Sequence, residues 1–198
     1  MDARHYNRGA ALDQSRERGH GPMMQRIAIV GCSGGGKSTL ARALGAKLRL
    51  PVVHLDNLFW KPGWVESSLE DFRPRVEVAA AAECWIIEGN FTSASALRFA
   101  RADTIIWIEL PIGLCLWRAF SRMLFNFGQA RDDMSPGCQE RFDLAFYRYI
   151  WDWNGDSRPK MARVLSELAP HARLIRLASD QDTRRFLASV EPLPLSTV

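Results

Sequence analysis

One short stretch constrains this chain more than any other: Gly31-Cys32-Ser33-Gly34-Gly35-Gly36-Lys37-Ser38, which fits the spacing Gly-x-x-x-x-Gly-Lys-Ser. It follows an apolar run at residues 26–30 and leads straight into Lys37–Leu48, where Leu40, Leu44 and Leu48 share one helical face. Strand, glycine turn and helix in that order build a cradle for phosphate. Gly31, Gly34, Gly35 and Gly36 let the backbone turn tightly enough for its N–H groups to face the β-phosphate. The helix N-terminus adds positive partial charge. Lys37 is expected to reach the β- and γ-phosphates, and Ser38 to offer its hydroxyl to Mg²⁺. The stretch therefore predicts binding of a nucleoside triphosphate, namely ATP with Mg²⁺. Cys32 has two readings: a thiol acidified by the helix N-terminus, or a small residue that the loop tolerates.

The rest of the chain alternates in kind. Apolar runs stand at 26–30, 52–55, 85–87, 104–110 and 173–177; several are dominated by isoleucine and valine with little alternation, as in strands covered on both faces. Helical patterns separate them at Lys37–Leu48, 69–83 (after a Ser67-Ser68 cap), 111–125 (opened by Pro111), 139–153, 159–168 and 180–190 (after a Ser179/Asp180 cap). Such alternation means an α/β fold with ligands at the carboxyl ends of the strands. Residues 126–138, with Gly128, Asp132, Asp133, Pro136 and Gly137, have no clear period and read as part of a mobile lid spanning about 126–158.

Composition excludes other classes. The 198 residues suit one domain with a full core. Cys32, Cys84, Cys115 and Cys138 form no Cys-x-x-Cys pair, so a zinc ribbon and a disulfide framework are both unsupported, and reduced thiols in a cytoplasmic protein follow. Residues 1–22 are polar and lack the apolar core of a secretory signal; they read as a disordered tail before a P-loop domain at 23–198. No stretch is long and apolar enough to span a membrane. Among 26 basic residues 22 are arginine, which suits phosphate handling and equally fits a codon preference. The sequence has no DNA-binding motif, although a pI near 9.1 leaves DNA as a conceivable partner.

The other strand tips supply candidates for the remaining chemistry. Asp56, after the run at 52–55, is placed to take a proton from a substrate hydroxyl, with Trp60 and Trp64 as an apolar wall; the alternative is a turn-capping Asp and two core tryptophans. Neighbouring His54 reads as packing or bonding locally. Glu88, after the run at 85–87, suits a carboxylate that polarises a Mg²⁺-bound water, followed by Gly89 and Asn90. Arg98 falls on a short helix after Asn90. Arg118 and Arg122 share a helical face leading into the lid, Arg131 lies within it, and Arg158 stands on its far side.

These motifs, together with Ala102-Asp103-Thr104-Ile105-Ile106-Trp107, Leu116-Trp117-Arg118, Glu140-Arg141-Phe142 and Ile150-Trp151-Asp152, resemble the adenylate-kinase-related P-loop kinases known as DNA topology modulation proteins. The resemblance covers residues 26–177. It implies a P-loop NTPase three-layer sandwich whose five-stranded parallel sheet has the order 2-3-1-4-5, with a small lid. It implies a nucleotide site of Gly31, Cys32, Ser33, Gly34, Gly35, Gly36, Lys37, Ser38 and Thr39, with Ser38 and Glu88 at the metal. Asp56, Trp60, Glu88, Asn90 and Arg98 would face the acceptor, and Lys37, Asp56, Arg118, Arg122 and Arg158 would serve transfer. The expected activity is transfer of the ATP γ-phosphoryl group to a small hydroxyl or phosphate acceptor, such as a nucleotide or nucleoside. The alternative is an ATP-dependent regulator acting on DNA or a protein partner.

Overall fold

Ile27, Ala28, Ile29 and Val30 have no exposed surface, so the strand they form must be covered on both faces. The computed structural model describes residues 24–129 and 134–192; the expected N-terminal tail and Arg131 lie outside them. The chain runs β1 (Arg26–Gly31), α1 (Lys37–Leu48), β2 (Val52–His54), α2 (Leu55–Phe59), β3 (Trp60–Lys61), β4 (Val65–Glu66), α3 (Leu69–Ala81) and β5 (Trp85–Glu88). It continues with a 3-10 turn (Thr92–Ala94), α4 (Ser95–Phe99), β6 (Thr104–Ile108), α5 (Ile112–Phe125), α6 (Leu144–Asp152), α7 (Ser157–Leu168), β7 (Arg173–Leu177) and α8 (Asp180–Ser189).

Five strands form one parallel sheet in the order β2-β5-β1-β6-β7. Counting only sheet strands, that is the expected order 2-3-1-4-5. Side chains alternate across a strand, which makes two cores. Ile27 and Ile29 enter one with Leu40, Leu44 and Leu48 of α1, Cys115 of α5 and Ile150 of α6. Ala28 and Val30 enter the other with Phe72 and Val76 of α3, Phe99 of α4, and Met161 and Leu165 of α7. The result is a three-layer sandwich, in which each fully buried leucine or isoleucine stabilises by about 1.5–3 kcal/mol.

Several boundaries differ from the sequence reading, each for a local reason. The run at 52–55 ends as a strand at His54, because Leu55 starts α2 and is itself buried. Asp56 therefore sits in the first turn of a helix. The helix expected from 139 starts at Leu144: Glu140 is held in extended pairing by Gly128 N–H donating to its carbonyl (2.9 Å), and its own N–H donates to the Gln129 carbonyl (2.9 Å). Asp143 then caps α6 by accepting from the N–H groups of Ala145 and Phe146. Ser68 and Ser179 cap α3 and α8 as expected.

Candidate active site

The P-loop leaves β1 at the sheet centre, with β5 and β6 as its immediate neighbours. Two of its glycines are fixed by space as well as conformation. A Cβ at Gly31 (φ +142°) would lie 2.3 Å from the Ile108 carbonyl oxygen, and one at Gly34 (φ +79°) would lie 2.2 Å from that of Cys115. The loop closes with Gly35 N–H donating to the Cys32 carbonyl at 3.1 Å, and Lys37 Nζ folds back to the same oxygen at 3.3 Å. Ser38 is partly open and Thr39 exposed on the first turn of α1. Cys32 is buried, and its hydrogen bond with the Cys115 thiol, followed by burial, pushes its pKa up. That packing beneath the loop fits the reading of Cys32 as a small residue that the loop tolerates.

Glu88 ends β5 beside the loop with only 2% of its surface exposed. Its Oε1 accepts from Ser38 Oγ at 2.9 Å and lies 2.7 Å from His54 Nδ1. Burial alone would raise the Glu88 pKa; the His54 hydrogen bond, the Lys37 charge and the Ser38 hydroxyl hold it below the usual carboxylate range. One hydroxyl and one ionised carboxylate thus converge beside the phosphate cradle. Among the described residues no three His, Cys, Asp or Glu side chains gather as a metal cage. That donor set fits Mg²⁺, which keeps water and nucleotide oxygens and needs few protein ligands.

On the other side of the cradle, Asp56 lies in the first turn of α2, partly buried. Trp60 lies edge-on to Phe59 (5.1 Å) and to Trp64 (5.5 Å) in the small β3–β4 hairpin. Part of the expected lid is seated on this hairpin. Gly63 N–H donates to the Gly137 carbonyl (3.2 Å), Trp64 Nε1 to the Gln139 carbonyl (2.8 Å) and Ser135 Oγ to the Asn57 carbonyl (3.0 Å). The Arg141 guanidinium lies over the Trp64 ring at 5.7 Å. Asn90 grips the root of the P-loop: its Oδ1 accepts from Gly31 N–H at 3.1 Å, and its Nδ2 donates to the Gly31 carbonyl at 2.9 Å.

Comparison with known proteins settles the architecture. No protein-family model matches the chain, and no curated protein matches it in sequence. The shikimate kinase of Acinetobacter baumannii, solved in complex with shikimate, superposes with a TM-score of 0.52 at 16% identity, covering 84% of this chain and 90% of that one. The chain has the fold of a P-loop kinase. The shikimate kinase of Bacteroides thetaiotaomicron (TM-score 0.45, 17% identity, 83% of this chain and 94% of that one) is similar. So is a sugar kinase of Janibacter sp. (0.43, 18%, 83% and 93%). No helix among the described residues is long and apolar enough to cross a membrane.

Within this P-loop kinase fold the arginines behave unequally. Arg98 is corrected: it has no exposed surface, and its Nη2 donates to the carbonyls of Gly89 (2.9 Å) and Asn90 (2.8 Å). Burial pushes its pKa down to about 9, against the opposing pull of Glu88. A guanidinium without surface offers an acceptor nothing; it braces the Glu88–Asn90 turn from behind. Arg118 Nη2 pairs with Asp180 Oδ2 at 2.6 Å, and Arg122 Nε with Glu140 Oε1 at 2.8 Å. Arg158 pairs with Glu109, just beyond β6, at 2.9 Å. The three share a pattern of carboxylate pairing, so engaging phosphate would mean exchanging those partners.

Two side chains stand out that pattern reading undervalued. His54 bonds across the sheet to Glu88 rather than locally, because β2 and β5 pair in parallel with His54 opposite Glu88. Tyr149 of α6 places its phenol oxygen 3.1 Å from Asn90 Nδ2. No spacing rule links residues so far apart in the chain.

Proposed function

We propose that this protein is a small-molecule kinase that transfers the γ-phosphoryl group of Mg-ATP to an oxygen of an unidentified acceptor. The observation that carries the reading is the convergence of Ser38 Oγ on Glu88 Oε1 at 2.9 Å directly after Lys37, on a P-loop set at the centre of a kinase-type sheet. The loop N–H groups and Lys37 hold the phosphates, and Lys37 offsets charge on the oxygens between the β- and γ-phosphorus. Ser38 and Glu88 would hold Mg²⁺, which when bound neutralises phosphate charge and aligns the transfer. Asp56 accepts the proton that the attacking hydroxyl loses, while the oxygen–phosphorus bond forms and the bond to ADP breaks. Trp60 and Asn90 flank the acceptor. Arg118, Arg122 and Arg158 act when the lid region closes, trading carboxylates for phosphate and excluding water. The sequence resemblance to the topology modulation proteins fits the same kinase relation.

The test is ATP turnover with and without a panel of nucleosides, nucleotides and small hydroxylated metabolites. ADP release that depends on one acceptor and yields its phosphorylated form is the expected result. Lys37→Ala should lower that rate by about 10²–10³-fold, the usual loss on removing one charge-stabilising group. ATP binding with no acceptor stimulating turnover would favour an ATP-dependent regulator of DNA or a protein partner instead.

A further inference from the structure

We propose that Tyr149 is a positioning residue for phosphoryl transfer, fixing the outgoing arm of the lid region to the root of the P-loop through Asn90. Its catalytic part rests on the kinase reading above.

The Asn90 amide makes three hydrogen bonds out of a capacity of about four. Two hold Gly31, the residue where β1 becomes the P-loop; the third, from Nδ2 at 3.1 Å, ends on the Tyr149 phenol oxygen. Ser157 is the first residue of α7, immediately before Arg158, which grips Glu109 at the end of β6. A line of side chains therefore runs from Gly31 through Asn90 to Tyr149, joining the root of the P-loop to α6, the helix just before the one that carries Arg158. The ring is steadied by Trp153, edge-on at 5.9 Å in the same helix junction.

A tyrosine is needed at this point for its oxygen. Phenylalanine would pack the same ring against Trp153, but it would leave the second Asn90 N–H without its acceptor. The phenol also keeps its proton: although Tyr149 is partly open to solvent, the covered part of its ring, with Cys32 and then Asp56 adding, pushes its pKa up to about 12. Tyr149 thus works by holding geometry. Small displacements of an arginine from the transferring group are costly in rate and cheap in nucleotide binding, because orientation acts chiefly on the transition state.

The experiment compares the full chain with Tyr149→Phe, and with Tyr147→Phe on the same helix as a control, since the Tyr147 hydroxyl donates at 3.5 Å to the Ala119 carbonyl, away from Asn90. Three readings are taken: thermal midpoint, amide hydrogen exchange of the nucleotide-free protein, and steady-state ATP turnover. In Tyr149→Phe, exchange over residues 144–158 should quicken about fivefold, reflecting a loosened local opening equilibrium. Its kcat should fall about tenfold while KM for ATP stays within about twofold. The control should match the parent in both. A Tyr149→Phe protein with unchanged exchange and unchanged kcat overturns the proposal, as does a rise in KM alone. Should the parent show no ATP turnover at all, the kinase reading falls separately. Exchange then decides the Tyr149 link by itself: quickened exchange supports it and unchanged exchange sinks it.

Discussion

The proposed nucleotide side and the proposed acceptor side of the site are built on different principles. The nucleotide side is made from one continuous piece of chain: Gly31, Lys37 and Ser38 lie within a single strand–loop–helix unit, and local backbone geometry orients them. The acceptor side is assembled from segments far apart in sequence. Asn57 is met by Ser135, Trp64 by Gln139, and Asn90 by Tyr149. Where the first side relies on backbone shape and fixed charges, the second relies on side-chain bonds between the β3–β4 hairpin, the loop before α6, and α6 itself. A continuous unit is rigid because its neighbours are covalent. An assembled one is rigid only as long as its non-local bonds hold, so substitutions in the hairpin contacts can loosen it while the strand–loop–helix unit keeps its local shape.

Substitutions can break that contrast. The largest effect is expected from Gly34→Ala, where the new Cβ meets the Cys115 carbonyl at 2.2 Å in a backbone conformation that side chains rarely adopt. It should lose about 1–3 kcal/mol of stability, the usual cost of such strain, and ATP binding with it. Urea unfolding and a nucleotide titration check both; parental values would mean that α5 does not pack so tightly under the loop. A smaller effect is expected from Trp64→Phe, which keeps the ring and deletes the N–H that Gln139 accepts. It should cost about 0.5–1.5 kcal/mol locally, the net worth of one hydrogen bond, and quicken hydrogen exchange at residues 134–141. ATP affinity should not move, and a large change in it would mean that the two sides are not separable.

The smallest expected effect is a slope. Glu88 is held below its ordinary value of 4.5, so the folded state binds its proton less readily than the unfolded chain does. The stabilisation that Glu88 contributes is therefore complete above that value and lost as the pH falls through the folded one. Urea midpoints measured from neutral pH into acid should drop more steeply for the parent than for Glu88→Gln. Parallel curves would show that His54, Lys37 and Ser38 do not stabilise the charge.

Legibility in the sequence follows the same division. Glycine spacing and apolar period placed the P-loop, α1 and the sheet strands because each rests on local geometry: a tight turn needs glycine, and strands covered on both faces, as β1, β5 and β6 are, need apolar residues throughout. Glu88 was legible as an acid at a strand tip. Its bond to His54 was not, since it arises only when β2 and β5 align in parallel. Arg98 was legible as a cation on a short helix, while the direction of its side chain, back into the Gly89 and Asn90 carbonyls, was settled by packing. The start of α6 was misjudged because Asp143 and the pairing of Glu140 with Gln129 and Gly128 override the helical pattern before it.

By itself, then, the sequence determined the alternating α/β plan and the glycine-rich loop between β1 and α1, whose parts are neighbours along the chain. The tertiary structure decided which face Arg98 presents, what holds Glu88, and how Tyr149 meets Asn90, because burial and hydrogen bonding between distant segments exist only once the sheet has formed.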